Sequence, residues 1–221
     1  MVAATGPKSP TPYRNVEVPP SSLAGRGSLV RFTVDDVLSM MRQGIVPEGA
    51  TTELLRGFLV LKDRSDLGGD PLMHGTRHRA CVRRLTSLAG RIETATRFAQ
   101  IQCPIICGSN EMSEPDFALI RGTDADYATR LPTASDVIVI IEAADSSYER
   151  DSGEKLETYA FAGIPQYAIV NLRNSTIEEY GDVDSAAGAY RQKAIYSRDQ
   201  TVILRGGING NIPLLVADVL P

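Results

Sequence analysis

Several residue types are scarce in this sequence, and each shortage excludes a class of protein. There is no tryptophan, and 221 residues contain two histidines, three cysteines and four lysines. A small, odd number of cysteines does not build the disulfide framework of a small secreted domain, so we expect a reducing, cytoplasmic compartment. The longest wholly apolar run, residues 137–141, is far shorter than the roughly 18 residues of a membrane-spanning helix. Disulfide scaffolds and membrane spans are therefore excluded.

Composition predicts one folded domain that follows a flexible tail. Apolar residues make up 43% of the chain and charged residues 23%, which is normal for a globular protein. Residues 1–27 hold five of the 13 prolines and lack the apolar centre of a signal peptide, so we expect a flexible tail there. Residues 28–221 are long enough to form a single domain with a substantial core.

Hydrophobic periodicity in residues 28–221 predicts an α/β fold with a mixed central sheet flanked by two main helices. A short helix capped by Thr33 is expected through Met41, and the two main helices at residues 76–96 and 154–162. Strands are expected at 53–61 (two, folded about Arg56-Gly57), 98–106, 115–121, 137–143, 166–172, 177–180, 190–196 and 201–204. The strand at 137–143 is nearly all apolar, which is typical of a central strand covered on both faces.

Two acids stand beside strands that are otherwise apolar. Asp116 begins the strand after Pro115, and Glu142 lies near the end of the most hydrophobic strand. Burying a carboxylate is costly unless it is paired or bound to a metal. If the 122–135 loop joins these strands as a hairpin, the acids come side by side, and a divalent cation would relieve their repulsion. The alternative is that Glu142 pairs with an arginine at the sheet edge.

Lys155 follows Glu142 on the first turn of the next predicted helix. A helix that crosses back over the sheet could return this ammonium to the two acids. The alternative is a solvated surface charge, the usual state of a lysine on an amphipathic helix. Because arginine fills 19 of the 23 basic positions, a lysine here is harder to regard as incidental. Lysine also offers a compact point charge that arginine does not.

The motifs around these residues form a series along the chain. They are Glu53-Leu-Leu-Arg-Gly, His78, Ser113-Glu-Pro-Asp116, Glu142-Ala-Ala-Asp-Ser-Ser147 and the segment from Asp151 to Leu172. In this order they resemble the Uma-type restriction endonuclease family, a branch of the PD-(D/E)XK nuclease superfamily, over residues 31–219. Residues 142–172 carry the specific part of the likeness, since a bare Pro-Asp pair also occurs by chance.

The resemblance implies a restriction-endonuclease-like fold and hydrolysis of DNA phosphodiester bonds with Mg²⁺, or alternatively Mn²⁺. It implies that Asp116 and Glu142 hold the metal and that Lys155 is the catalytic lysine. Glu53 would be a further catalytic acid that completes the metal shell or binds a second ion. One departure from the superfamily pattern is Ala144, which stands two residues after Glu142, where a lysine is common. The family's lysine has moved to the helix position that Lys155 occupies.

The resemblance also suggests contacts with the substrate. His78 and Tyr159 would line the cleft, although packing is an equally good or better explanation for each. Six arginines and one acid between His74 and Arg97 give that segment a charge of +5, against −9 for the rest of the chain. These arginines are Arg77, Arg79, Arg83, Arg84, Arg91 and Arg97. We interpret them as a phosphate-facing surface, with Arg77, Arg79 and Arg83 as substrate contacts. The alternative is a solvated face paired with acids elsewhere.

Three functions are compatible with these observations. The first is a metal-dependent DNA endonuclease that works through an Asp/Glu/Lys site. The second is a non-catalytic DNA-binding or interaction module of the same fold, and the third is a small-molecule-binding α/β domain. The Asp116, Glu142 and Lys155 set favours the first over the second, and the arginines favour both over the third. The resemblance further implies a homodimer, because superfamily members of this size often dimerise to cut two strands.

Overall fold

The computed structural model of the chain describes residues 30–46, 52–61 and 75–221. Residues 31–221 belong to one compact unit. The predicted tail, residues 1–27, lies outside the described residues, and its flexibility stays a prediction. None of the helices in the described ranges is long and apolar enough to cross a membrane.

The described chain contains five α-helices and twelve strands. The helices are α1 (Val34–Arg42), α2 (Thr76–Ile92), α3 (Tyr148–Asp151), α4 (Glu154–Phe161) and α5 (Val216–Val219). The strands are β1 (Thr52–Leu55), β2 (Phe58–Leu61), β3 (Arg97–Gln100), β4 (Ile105–Gly108), β5 (Glu111–Ser113), β6 (Phe117–Arg121), β7 (Val137–Ala144), β8 (Tyr167–Asn171), β9 (Thr176–Asp184), β10 (Ala189–Tyr196), β11 (Thr201–Leu204) and β12 (Ile212–Leu215).

A six-stranded mixed sheet forms the centre of the fold, in the order β10-β9-β8-β7-β6-β3. Only the β7–β8 pair is parallel among its neighbours. All eight residues of β7 are buried, as expected for a strand covered on both faces. One face packs on the apolar stripe of α2, and the other packs on α4. The predicted α/β class with a mixed central sheet flanked by helices is confirmed.

The expectation of a single sheet is incomplete, because two smaller sheets accompany the central one. A four-stranded sheet has the order β2-β1-β5-β4, and β11 pairs with β12 alone. The predicted fold of residues 53–61 into two strands is correct: β1 and β2 form a hairpin. Its turn residues, Arg56 and Gly57, have φ angles of 51° and 82°, as a tight hairpin turn requires.

The strand predicted at 98–106 is wrong as a single element. The chain forms β3 in the central sheet, turns at residues 101–104, and then forms β4 in the four-stranded sheet. Gln102 occupies the left-handed region with φ of 50°, and Pro104 follows it. Pro104 signals a break within the predicted strand, since proline is rarely found inside a central strand, but no local feature indicates that the chain changes sheet there. The short elements β5, β12, α3 and α5 were not predicted either.

The helix predicted at residues 76–96 ends at Ile92, and this corrects the position of Arg97. Glu93 is extended, and the N–H of Thr94 donates to the carbonyl of Arg97, so the chain turns directly into β3. Arg97 is buried in β3 and does not lie on the helix surface. Its guanidinium donates to the carbonyls of Ile92 (2.7 Å), Gly206 (2.6 Å) and Gly210 (3.3 Å). It therefore joins the end of α2 to the loop between β11 and β12.

We predict that Arg97→Met destabilises the protein by about 3 kcal/mol. Methionine keeps the aliphatic length but leaves three carbonyls without their donor, and hydrogen bonds to a charged group are worth about 1.5–3 kcal/mol each. Urea denaturation would measure the free energy of unfolding. The control is Arg191→Met, which alters an exposed side chain on β10 and should change stability by no more than about 0.5 kcal/mol. Equal stability of the two variants would contradict the role of Arg97.

Candidate functional site

The β6–β7 hairpin brings the two predicted acids together. Phe117 pairs with Ile141 across these antiparallel strands, so Asp116 stands beside Glu142 at the same end of the hairpin. The backbone N–H of Asp116 donates to Glu142 Oε2 at 3.2 Å. The backbone N–H of Ala143 in turn donates to Asp116 Oδ2 at 2.9 Å. Each acid is therefore fixed by the backbone of the strand that carries the other.

Lys155, on the first turn of α4, reaches two carboxylates. Its Nζ lies 2.7 Å from Glu142 Oε1 and 3.1 Å from Glu53 Oε1, and its side chain is 2% exposed. Burial by itself would lower the pKa of this lysine, but the charges of Glu142, Glu53 and Asp151 outweigh burial and raise it well above its usual value. Lys155 therefore stays protonated. Glu53 Oε1 also accepts the backbone N–H of Glu114 at 2.9 Å.

Tyr159 lies one helical turn after Lys155 and completes the environment of Glu142. Its hydroxyl donates to Glu142 Oε1 at 2.9 Å, and its side chain is fully buried. Burial first, and then the Glu142 charge, raise the pKa of this phenol well above its usual value. These contacts favour a role in positioning Glu142 over a contact with substrate.

His78 bridges the start of α2 and the acid hairpin. Its Nδ1 lies 2.8 Å from the carbonyl oxygen of Ala143, which can only accept, so Nδ1 carries a proton. Its Nε2 lies 3.4 Å from Asp116 Oδ1. If Nε2 carried no proton, its lone pair would face the negative carboxylate, so this position favours the protonated ring. Burial alone would lower the pKa of His78. The interactions with Asp116, the Ala143 carbonyl and Glu142 outweigh burial and raise this pKa above its ordinary 6.5. The His78–Asp116 contact also keeps the pKa of Asp116 well below its usual range, although burial alone would raise it.

Three further residues adjoin these acids. Gln102 Nε2 donates to Asp116 Oδ1 at 3.1 Å, and no motif pointed to this residue, because the turn that holds it depends on tertiary contacts. Asp151 on α3 is buried, and Ser147 Oγ donates to its Oδ2 at 2.5 Å. Burial raises the pKa of Asp151 despite the nearby Lys155. Arg150, which was not predicted, carries a charge felt by Glu53 and Glu142.

The arginines of α2 divide into two groups. Arg77, Arg79 and Arg83 are exposed and form no ion pair with the described residues. Arg84 donates to the carbonyls of Ala217 and Leu220, and Arg91 lies 3.8 Å from Asp218. For the second group and for Arg97, the structure favours the alternative of pairing within the protein. The phosphate-facing surface is therefore smaller than the sequence indicated.

The described site contains more acidic than basic buried charge. The buried acids are Glu53, Asp116, Glu142 and Asp151, and Lys155 is the buried lysine beside them. No three His, Cys, Asp or Glu side chains within residues 30–46, 52–61 and 75–221 are grouped closely enough to hold a metal ion by themselves. The three cysteines of the described chain, Cys81, Cys103 and Cys107, are free thiols.

Comparison with known families agrees with the motifs and the fold. Residues 68–216 match the Uma2 family, which is described as "Putative restriction endonuclease". The chain belongs to the Uma2 family. The matched residues are more than half of the chain and include Asp116, Glu142 and Lys155, so the predicted family is confirmed. Glu53, the acid from the four-stranded sheet, precedes the segment matched to Uma2.

One solved structure similar to this Uma2 chain is a crystal structure titled as a putative nuclease belonging to DUF820 from Anabaena variabilis. The similarity has a TM-score of 0.61 with 14% sequence identity, and it covers 85% of this chain and 97% of that one. At this identity the similarity concerns the fold, and the predicted restriction-endonuclease-like fold is confirmed. A comparison with curated proteins finds no match.

We predict that His78 stabilises the metal-free protein most at acidic pH. A pKa raised above the unfolded value of 6.5 contributes stability that is complete below 6.5 and is lost as the pH rises through the folded-state pKa. The free energy of unfolding should therefore exceed that of His78→Gln most between pH 3.8 and 6.5, where both partners are charged, and the difference should shrink as the pH rises above 6.5. Urea titrations in EDTA at a series of pH values would measure it. A difference that does not vary with pH would contradict the His78–Asp116 ion pair.

Proposed function

We propose that this Uma2 protein is a metal-dependent DNA endonuclease whose site consists of Asp116, Glu142 and Lys155, with Glu53 as an accessory acid. The observation that carries the proposal is the 2.7 Å contact between the buried Lys155 ammonium and Glu142, beside Asp116 on the paired strand. An arrangement of two acids and a lysine suits the hydrolysis of a phosphodiester. The family to which the chain belongs supports this reaction.

The donor set of the site fits a hard divalent cation. Asp116 and Glu142 offer carboxylate oxygens, and the buried acids are not balanced by Lys155 alone. Mg²⁺ keeps several waters and binds proteins through one or two carboxylates together with substrate phosphates, so it does not need a complete shell of protein ligands. When bound, such an ion lowers the pKa of a coordinated water and offsets charge on the attacked phosphate. We propose Mg²⁺, with Mn²⁺ as a substitute.

The protein's own residues hold this site in one charge state. Lys155 and Tyr159 orient Glu142 through a shared oxygen. His78 and the Ala143 N–H orient Asp116. Glu53 receives both Lys155 and the Glu114 N–H, which supports a role in placing the lysine besides its predicted role as a metal ligand.

DNA binding without cleavage is a second candidate function. The observation that favours it is the exposed arginine set of α2, Arg77, Arg79 and Arg83, whose charges are not paired with described residues. Such a surface suits phosphate contacts whether or not a strand is cut. A homodimer would supply two such sites, one for each strand of a duplex. The homodimer therefore stays a prediction that belongs to the endonuclease proposal.

We predict that Asp116→Asn, Glu142→Gln and Lys155→Met each lower the DNA cleavage rate by at least about 100-fold, the usual loss for a group that stabilises a transition state. Single-stranded, duplex and branched DNA would be incubated with each protein and Mg²⁺. The matched controls are Asp136→Asn, which alters an acid paired with Arg130, and Lys193→Met, which alters a lysine paired with Glu178; both should cut like wild type.

Equal nicking by wild type and the three site variants would indicate a contaminating nuclease and overturn the catalytic proposal. Wild-type protein that binds DNA but leaves all three forms intact would favour the second candidate function.

We predict that EDTA abolishes cleavage and that Mg²⁺ or Mn²⁺ restores it. Independently of turnover, Mg²⁺ should raise the melting temperature of the wild-type protein, because a ligand that binds only the folded state stabilises it. Asp116→Asn should lose most of this increase, whereas Asp136→Asn should keep it. An identical Mg²⁺ effect on both variants would place the metal elsewhere.

A further inference from the structure

We propose that Arg150 is the residue that binds the backbone phosphate of DNA at this site. The inference rests on the proposed function, since it names a substrate contact of the same site. Arg150 was not singled out from the sequence. Three observations about its position, its hydrogen bonding and its exposure carry the argument.

Arg150 lies on the short helix α3, between the strand that carries Glu142 and the helix that carries Lys155. Its Nε lies 4.0 Å from the buried carboxylate of Asp151, and its charge also interacts with those of Glu53 and Glu142. Burial alone would lower its pKa, but these carboxylates raise it, and the side chain remains a cation. Arg150 is therefore a fixed positive charge beside the proposed reaction centre.

The hydrogen-bonding capacity of this guanidinium is not used up within the described chain. Arg150 Nε is buried but has no hydrogen-bond acceptor there. The nearest ion-pair contact, to Asp151 Oδ1, is 4.0 Å long, which is beyond hydrogen-bond range. A buried donor without an acceptor costs free energy, and that cost is removed when a ligand supplies the acceptor. An anionic oxygen is the acceptor that a guanidinium binds best.

Exposure separates Arg150 from Lys155. The Arg150 side chain is 36% exposed, so part of it reaches solvent although Nε is buried, whereas Lys155 is 2% exposed and already contacts Glu142 and Glu53. Lys155 is therefore enclosed beside Glu142 and Glu53 and does not face the surface from which a phosphate would approach. Without another cation at the surface, the acids would repel an approaching phosphodiester. A planar guanidinium with several donors meets phosphate oxygens in a bidentate geometry, so Arg150 has the suitable chemistry and position.

The salt dependence of DNA binding tests this role directly. Each protein–phosphate contact contributes about 0.9 to the slope of log affinity against log salt concentration on duplex DNA. With full-length protein, a fluorescein-labelled duplex and EDTA to prevent cleavage, Arg150→Gln should lower the slope by about 0.9. Arg150→Lys keeps the charge and should retain the slope. Arg191→Gln removes the same charge on β10, where Arg191 pairs with Asp184, and should leave the slope unchanged.

Cleavage with Mg²⁺ provides the second readout. Arg150→Gln should lower kcat/KM by about 100-fold, as expected for loss of one donor to a charged transition state, with Arg150→Lys between this variant and wild type. Melting temperatures of both variants show whether the fold is kept. A purely structural arginine would lower the melting temperature without changing the salt slope of the folded protein.

The outcomes separate the two proposals. If wild type cuts DNA but Arg150→Gln keeps the wild-type slope and rate, the role of Arg150 is overturned and the endonuclease stands. If wild type does not cut but Arg150→Gln still lowers the slope, the endonuclease is overturned and the phosphate contact stands. If wild type binds neither duplex nor single-stranded DNA, both are overturned.

Discussion

A buried ammonium held by two carboxylates is the interaction on which the rest of this structure depends. Lys155 on α4 contacts Glu142 on β7 and Glu53 on β1, and these strands belong to two different sheets. Each of these ions alone would pay a large desolvation penalty, and removing one partner leaves the others uncompensated. The four-stranded sheet, the central sheet and α4 must therefore meet in one geometry, because any other arrangement leaves buried charge unpaired.

The same interaction gives the two neighbouring acids, Glu142 and Asp116, different surroundings. Glu142 is almost wholly buried and takes its partners, Lys155 and Tyr159, from the helix side. Asp116 is the more accessible acid, with a side chain 12% exposed beside the partly exposed His78. A cation or a water molecule therefore approaches most easily from the Asp116 and His78 side. Lys155 contacts the buried acid, Glu142, and the more accessible acid, Asp116, is left for the ligands that the proposed reaction needs.

Local sequence patterns predicted the parts of this site that depend on neighbouring elements. Asp116 and Glu142 lie side by side because β6 and β7 form a hairpin. Lys155 lies next to Glu142 because only one short helix links β7 to α4. Patterns failed where long-range pairing decides. Arg97 was counted with the arginines of the phosphate-facing surface because it follows them closely in the chain, but the carbonyls of a distant loop hold it in β3. Glu53 could be assigned only by resemblance, since no local feature reveals which sheet β1 joins.

The presence of lysine at position 155, in a chain where 19 of the 23 basic residues are arginine, acquires a physical reason from the site. An ammonium is compact and donates in three directions, so it can lie between Glu142 and Glu53 where a planar guanidinium would need more room. A phosphate contact has the opposite requirement, because a broad fork of donors grips two oxygens at once. Lys155 in the buried position and Arg150 at the opening match these demands. Exchanging the two types would place the larger group where space is least and the weaker phosphate ligand at the proposed phosphate contact.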